Sequence, residues 1–270
     1  FLHLLLLVAG IFVAGNGNAQ LYWRIDGTNS VITGSTWSTT GIAPFTSAWV
    51  AGSNIVFNAN SGITYAATPV GNVTIANGIT VNLTSSGLNN YSTGSAIRTF
   101  DIGTGSVLNW GTQGFNVVGA ATTGFIKNGA GTWNFGAPAL ATYAAGFVLN
   151  SGTVTTTSNT AFGTGTLSLN GGIITPASGV ARTIANPITI GGNFQVGGTA
   201  GAGNVTFTGN VGLGGATRTI TIGNTGNYTF SGIISNGGLT IATASTGRII
   251  LSNATNSYAG ATTVSSGILQ

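Results

Sequence analysis

The chain has 270 residues, 42% of them hydrophobic and only 3% charged, with 46 glycines. Its net charge of +4 rests on six scattered cations (Arg24, Arg98, Lys127, Arg182, Arg218, Arg248) against Asp26 and Asp101, and nucleic acid or an anionic membrane would require those charges to be clustered. The absence of cysteine excludes disulfides and thiolate metal sites, and a chain without Glu or Met but rich in β-branched and aromatic residues reads as all-β.

The first element in chain order is an apolar run from Phe1 to about Ala14, followed by Gly17-Asn18-Ala19, a small-x-small pattern. It reads as a secretory signal peptide over residues 1–19 whose basic front end lies upstream of Phe1. The run is shorter than the ~20 residues a membrane span needs. His3 is the only histidine, so the exported part from Gln20 onward has none. Residues 20–95 repeat less and carry Trp23, Trp37 and Trp49. Because an open sheet edge has to be covered, this region is expected to cap the array that follows and to supply its first turns, with the tryptophans packed inside.

From residue 96 short alternations recur between GG, GN, NG and SG turns: Leu167 and Leu169, Ile188 and Ile190, Phe194 and Val196, Val205 and Phe207, Ile220 and Ile222, Tyr228 and Phe230, Leu239 and Ile241. Two phrases are repeated. AIRTFDIG (96–103), VARTIANPITIG (180–191) and ATRTITIG (216–223) each set Arg-Thr before an alternating strand that ends in Gly. YAAGFVLNSGTV (143–154) and YAGATTVSSGIL (258–269) each place a Tyr nine residues before a Gly, Tyr143 before Gly152 and Tyr258 before Gly267. Corresponding strands precede them at 132–135 and 248–251.

Strands this short cannot hold a core singly, but coils stacked on one another cover each other's apolar faces. The expected fold is therefore all-β, a right-handed parallel β-helix over residues 96–270, with roughly 20 to 25 residues per coil. Inward positions take apolar side chains or Asn, Ser and Thr that ladder along the stack; outward positions need only tolerate a strand; glycine serves the corners. A β-sandwich also accommodates regular short strands, although near-copies of a turn-plus-strand phrase belong more naturally to stacked coils.

YTFSGIISNGGLTIATASTGRIILSNATNSYAGATTVSSGIL (228–269) resembles the autotransporter-associated β-strand repeat, also called the passenger-associated transport repeat. The resemblance rests on Phe230, Ser231, Gly232, Gly237, Gly238, Leu239, Asn256, Tyr258, Gly260, Thr262, Val264, Gly267 and Leu269. Residues 127–154, with Tyr143 and Gly152, follow the pattern more loosely, and the Trp-containing segment 36–57 resembles the opening of such proteins. Thr246-Gly247-Arg248 stands where the family has Gly-x-Gly-Thr, which implies a differently shaped corner. The resemblance implies an exported structural or adhesive passenger stalk on the cell surface of a Gram-negative bacterium, whose repeats support secretion and vectorial folding. Its implied partners are export machinery, an outer-membrane barrel, and host or environmental glycans or surface proteins. No segment alternates in the aromatic-girdled way such a barrel needs, so the barrel is expected beyond Gln270.

Chemistry finds little to work with. Glycoside hydrolysis commonly needs two carboxyls flanking one bond, and Asp26 and Asp101 stand far apart in sequence; alternation places Asp101 outward beside Arg98. A serine nucleophile would depend on Lys127 as its base, in a segment, FIKNGAGT, that reads as a Gly-rich turn. Two carboxylates do not make a metal cage, and Gly214-Gly215 and Gly237-Gly238 read as turns because no helix follows them. The expectation is no catalysis, cofactor or metal. A β-helical polysaccharide-active enzyme, which would need Asp26 and Asp101 to converge in a groove, and a glycan-binding module, which would need a row of outward aromatics, are the alternatives.

Overall fold

The computed structural model describes residues 20–23, 30–31, 37–38, 54–65, 71–85, 96–110, 116–117, 123–135, 140–141, 143–177, 179–198, 203–243 and 245–270. The signal-peptide segment with His3, Asp26, Trp49 and the side chains of Trp23 and Trp37 lie outside the described features. Every described element is a strand or a turn.

The strands stack as a parallel β-solenoid. Its first face runs through Asn54–Phe57, Val73–Ile75, Ile97–Ile102, Gly124–Asn128, Gly146–Leu149, Leu167–Leu169 and Ile188–Ile190, each hydrogen-bonded in parallel to the next. The second face runs through Ser61–Tyr65, Thr80–Ser85, Val107–Trp110, Thr132–Phe135, Thr153–Thr156, Ile173–Pro176 and Phe194–Val196. Both faces continue into Val211–Ile222 and Ile234–Thr243, and the second ends on Thr262–Val264. A third face joins Arg182–Ile184, Val205–Phe207, Asn227–Phe230, Arg248–Leu251 and Ile268–Leu269, with Asn116–Val117 on Leu140–Ala141 as a separate pair. A typical step between coils is 20 to 27 residues, as from Asn150 to Asn170 and from Asn82 to Asn109. Among the described residues the one antiparallel pairing sets Trp37–Ser38 against Gln20–Trp23, which also pairs in parallel with Asn54–Phe57.

Alternation carries the fold, as the two-residue period requires. Leu167, Leu169, Ile188, Ile190, Val205, Phe207, Tyr228 and Phe230 are buried, while Ser168, Thr189, Thr206 and Thr229 between them are not. The middle of the core is aromatic: Phe100 stacks on Trp133 with centroids 4.3 Å apart, Tyr143 meets Phe125 edge-on at 4.9 Å, and Phe147 meets Phe162 at 5.1 Å. Farther along, Phe230 stacks on Phe207 of the preceding coil at 4.8 Å. Aromatic pairs in such geometries are each worth about 0.5–1.5 kcal/mol beyond their burial.

Two expectations need correction. Val211–Ile222 and Ile234–Thr243 are longer than the short strands read from the sequence and turn the corner at Gly214-Gly215 and Gly237-Gly238 without leaving the sheet. Gly214, Gly215, Asn236 and Gly237 hold positive φ there, so the two backbones bend together and resume pairing at Ala216 opposite Gly237. Lys127 is the second correction: it lies in a strand, at an inward position.

Candidate functional site

The repeated phrases are corners of the solenoid. In the first copy the chain enters at Tyr143, which is 0% exposed and whose hydroxyl donates to the Ala161 carbonyl 2.7 Å away. Burial pushes that hydroxyl well above its ordinary pKa. The copy closes at Gly152, whose φ of +74° belongs to the left-handed region. In the second copy Tyr258 is half-buried and shares a 2.8 Å hydrogen bond with the Thr262 hydroxyl, while Val264 is 46% exposed and Gly267 has a φ of +93°.

The copies are equivalent in sequence and differ in place. Thr132–Phe135, Gly146–Leu149 and Thr153–Thr156 lie on the second, first and second faces; their counterparts Arg248–Leu251, Thr262–Val264 and Ile268–Leu269 lie on the third, second and third. The correspondence between 132–135 and 248–251 therefore holds for the local turn and fails for position in the solenoid. The corner itself is conserved in geometry. A side chain at Gly131 would strike Ile102 and the carbonyls of Gly103 and Ser106; one at Gly247 would strike Ile222 and the carbonyls of Asn224 and Gly226. The substitution of Thr246-Gly247-Arg248 for Gly-x-Gly-Thr thus leaves this close approach intact.

What differs between the copies is the polar group that fills the corner. In the first it is Lys127, 0% exposed, whose Nζ donates to the carbonyls of Asn128 (2.6 Å), Gly129 (2.7 Å) and, in the next coil, Ser151 (3.3 Å). Burial lowers its pKa from 10.5 to about 8, with Asp101 pulling the other way. Ser151 sends its hydroxyl to the Gly129 carbonyl at 3.1 Å, so amine and hydroxyl share an acceptor where a nucleophile and base would need a bond to one another. In the second copy hydroxyls replace the amine: Thr243 donates to the Ile222 carbonyl at 2.9 Å and Ser245 to that of Asn224. Asn186 plays the same part elsewhere, its amide reaching the carbonyls of Gly165 (2.8 Å), Gly163 (3.1 Å) and Phe162 (3.2 Å).

The Arg-Thr phrases also occupy three different faces, Arg98-Thr99 on the first, Arg218-Thr219 on the second and Arg182-Thr183 on the third. In each the Thr N–H donates to an Asn side-chain oxygen of the preceding coil: Thr99 to Asn72 (2.9 Å), Thr183 to Asn159 (3.0 Å), Thr219 to Asn193 (2.9 Å). The sequence reading missed these asparagines. Their signal was an Asn standing 27, 24 and 26 residues before the threonines.

The other motif positions are structural in the same sense. Phe230 and Leu239 are buried in the core. Asn256 accepts the Ile234 N–H at 2.8 Å. Gly232 and Gly260 lie where a side chain would strike the carbonyls of Gly209 and Gly237, and one at Gly238 would lie 2.7 Å from the Thr217 hydroxyl. Thr262 pairs opposite Leu239, and Leu269 opposite Ile249.

Asp101 is exposed, as alternation required. It borders a shallow cleft of about 420 Å³ lined by Thr74, Asn77, Gly103, Thr104, Gly129 and Ala130, in which it is the one carboxylate among the lining residues. Arg98 precedes it by three residues in the same strand, so alternation sets the two on opposite sides and not beside one another as expected, and the convergence with Asp26 falls outside the described residues.

Comparison with known families returned one match. A model described as Passenger-associated-transport-repeat covers residues 125–155 and 244–270, the two corner segments just described. Neither the curated proteins nor the solved structures contain a match to the chain.

Proposed function

We propose that this chain is the passenger stalk of an autotransporter-like surface protein of a Gram-negative bacterium, a structural and adhesive element. In this reading residues 1–19 direct export, 20–95 supply the cap and the first coils, and 96–270 form the repeats. The observation that carries it is the coincidence of a parallel solenoid with passenger-associated transport repeats at its corners. The mechanism is mechanical. Each coil offers a complete strand edge and apolar floor to the next, so the chain folds turn by turn as it emerges, and nearest-neighbour stacking supplies the free energy. The rod holds its tip away from the surface, where glycans or surface proteins are its partners, and export machinery and an outer-membrane barrel deliver it.

The second repeat is the place to test this. Deleting residues 256–270 in the full reading frame is expected to lower surface display several-fold, measured by protease accessibility on intact cells. Display undiminished by the deletion would overturn the role given to the repeats in secretion.

A further inference from the structure

Coils that resemble one another must choose the right register. A slip of one residue turns the apolar set outward and is opposed by burial, but a slip of two keeps the alternation within each strand in phase, so the corners between strands have to oppose it. Along the first face the inward column reads Phe100, Lys127, Leu149, Leu169, Ile190, apolar apart from Lys127.

Lys127 is the exception in that column. Its amine is placed by carbonyls of its own coil and by the Ser151 carbonyl of the next. Gly152 passes over the same corner so closely that a side chain there would strike the carbonyls of Gly129 and Gly131 and come within 2.7 Å of Nζ. Moving the coil by two residues would carry Asn150 or Val154 into the place of Gly152, driving a side chain into those carbonyls and against Nζ, which would hold back the backbone carbonyl that accepts from the amine.

We propose that Lys127 and Gly152 form a register lock that selects the native stacking of coil 146–156 on coil 124–135. A buried polar group that specifies register at some expense of stability has precedent in other repetitive packings. The inference goes beyond the stalk reading and stands whether or not the chain is displayed on a cell.

The chain has no cysteine, so introduced pairs report register cleanly. Thr132 lies opposite Thr153 in the native stack, with Thr155 two residues farther along. In the full chain, oxidation during refolding is expected to close T132C/T153C and to leave T132C/T155C open. Adding Lys127→Leu, which matches Leu149 and Leu169 in the column, is expected to leave a cooperative melt while the native-to-slipped disulfide ratio falls about tenfold, the scale of one hydrogen bond to a charged group. Lys127→Gln, which keeps N–H donors, is expected to recover most of the native preference. A Lys127→Leu chain that folds with only the native disulfide overturns the proposal. So does one that fails to fold, because Lys127 would then determine stability and not choice of register. Equal slippage in Lys127→Gln and Lys127→Leu also overturns it, since N–H donation would not be what locks the coil.

Discussion

Tyr143 and Tyr258 open the same phrase but face different surroundings, and the difference sets the expected effect of removing each hydroxyl. Tyr143→Phe strands the buried Ala161 carbonyl and should lower stability by about 1–2 kcal/mol in chemical denaturation. Tyr258→Phe breaks a bond at the surface and should change it by less than about 0.5 kcal/mol. Equal effects would mean that burial does not govern this position. Lys127 makes a prediction in pH. The folded chain releases the Lys127 proton near pH 8 and the unfolded chain near 10.5. Between those values the unfolded state binds more protons, so stability rises with pH across that window and is lowest, for this group, below 8. The stability of the protein relative to its Lys127→Leu variant should therefore grow from pH 8 to 10.5; a difference that shrinks would show that the carbonyl cage outweighs desolvation. The lysine itself was visible in the sequence, but its inward direction was not, because FIKNGAGT carries turn residues immediately after the strand.

At the level of the element, corners are more demanding than strands. Gly152 combines a positive φ with a crowded approach, whereas Gly78 has a φ of +72° and open space around it. Gly78→Ala should cost about 1–2 kcal/mol from backbone conformation alone. Gly152→Ala should exceed that by at least about 1–3 kcal/mol, since the added methyl would force packed backbone to shift. Thermal denaturation of the two variants separates conformation from contact; equal losses would show that the corner relaxes around the methyl. The Asn–Thr links offer a third comparison. Asn193→Ala should remove the acceptor for the Thr219 N–H and speed hydrogen exchange at that amide while leaving Thr183, held by Asn159, unchanged. The phrases were legible as repeats because a corner recurs in sequence as Gly, small hydroxyl residues and alternating strand. Their asparagine partners were not, because the pairing spans a whole coil and no local pattern points across it.

Over the whole molecule, stability should follow the distribution of the core, since each coil touches only its neighbours. The aromatic stretch from Phe100 to Phe162 joins eight rings with neighbouring centroids no more than 6.5 Å apart. Residues 256–270 lie largely exposed on a single neighbouring coil. Native-state hydrogen exchange should accordingly be slowest within 97–169 and fastest within 256–270; uniform protection would indicate one cooperative unit and count against coil-by-coil folding. The parallel solenoid was already determined by the sequence itself, through the two-residue alternation, the near absence of charge and the recurrence of phrases. Those properties depend only on which side chains tolerate a wall shared between coils. The faces were decided by the tertiary structure alone. Three Arg-Thr phrases fall on three faces and two copies of the transport repeat lie one face out of step, because the phrase encodes a bend of the backbone, while the count of residues in the intervening coils determines where around the solenoid that bend arrives.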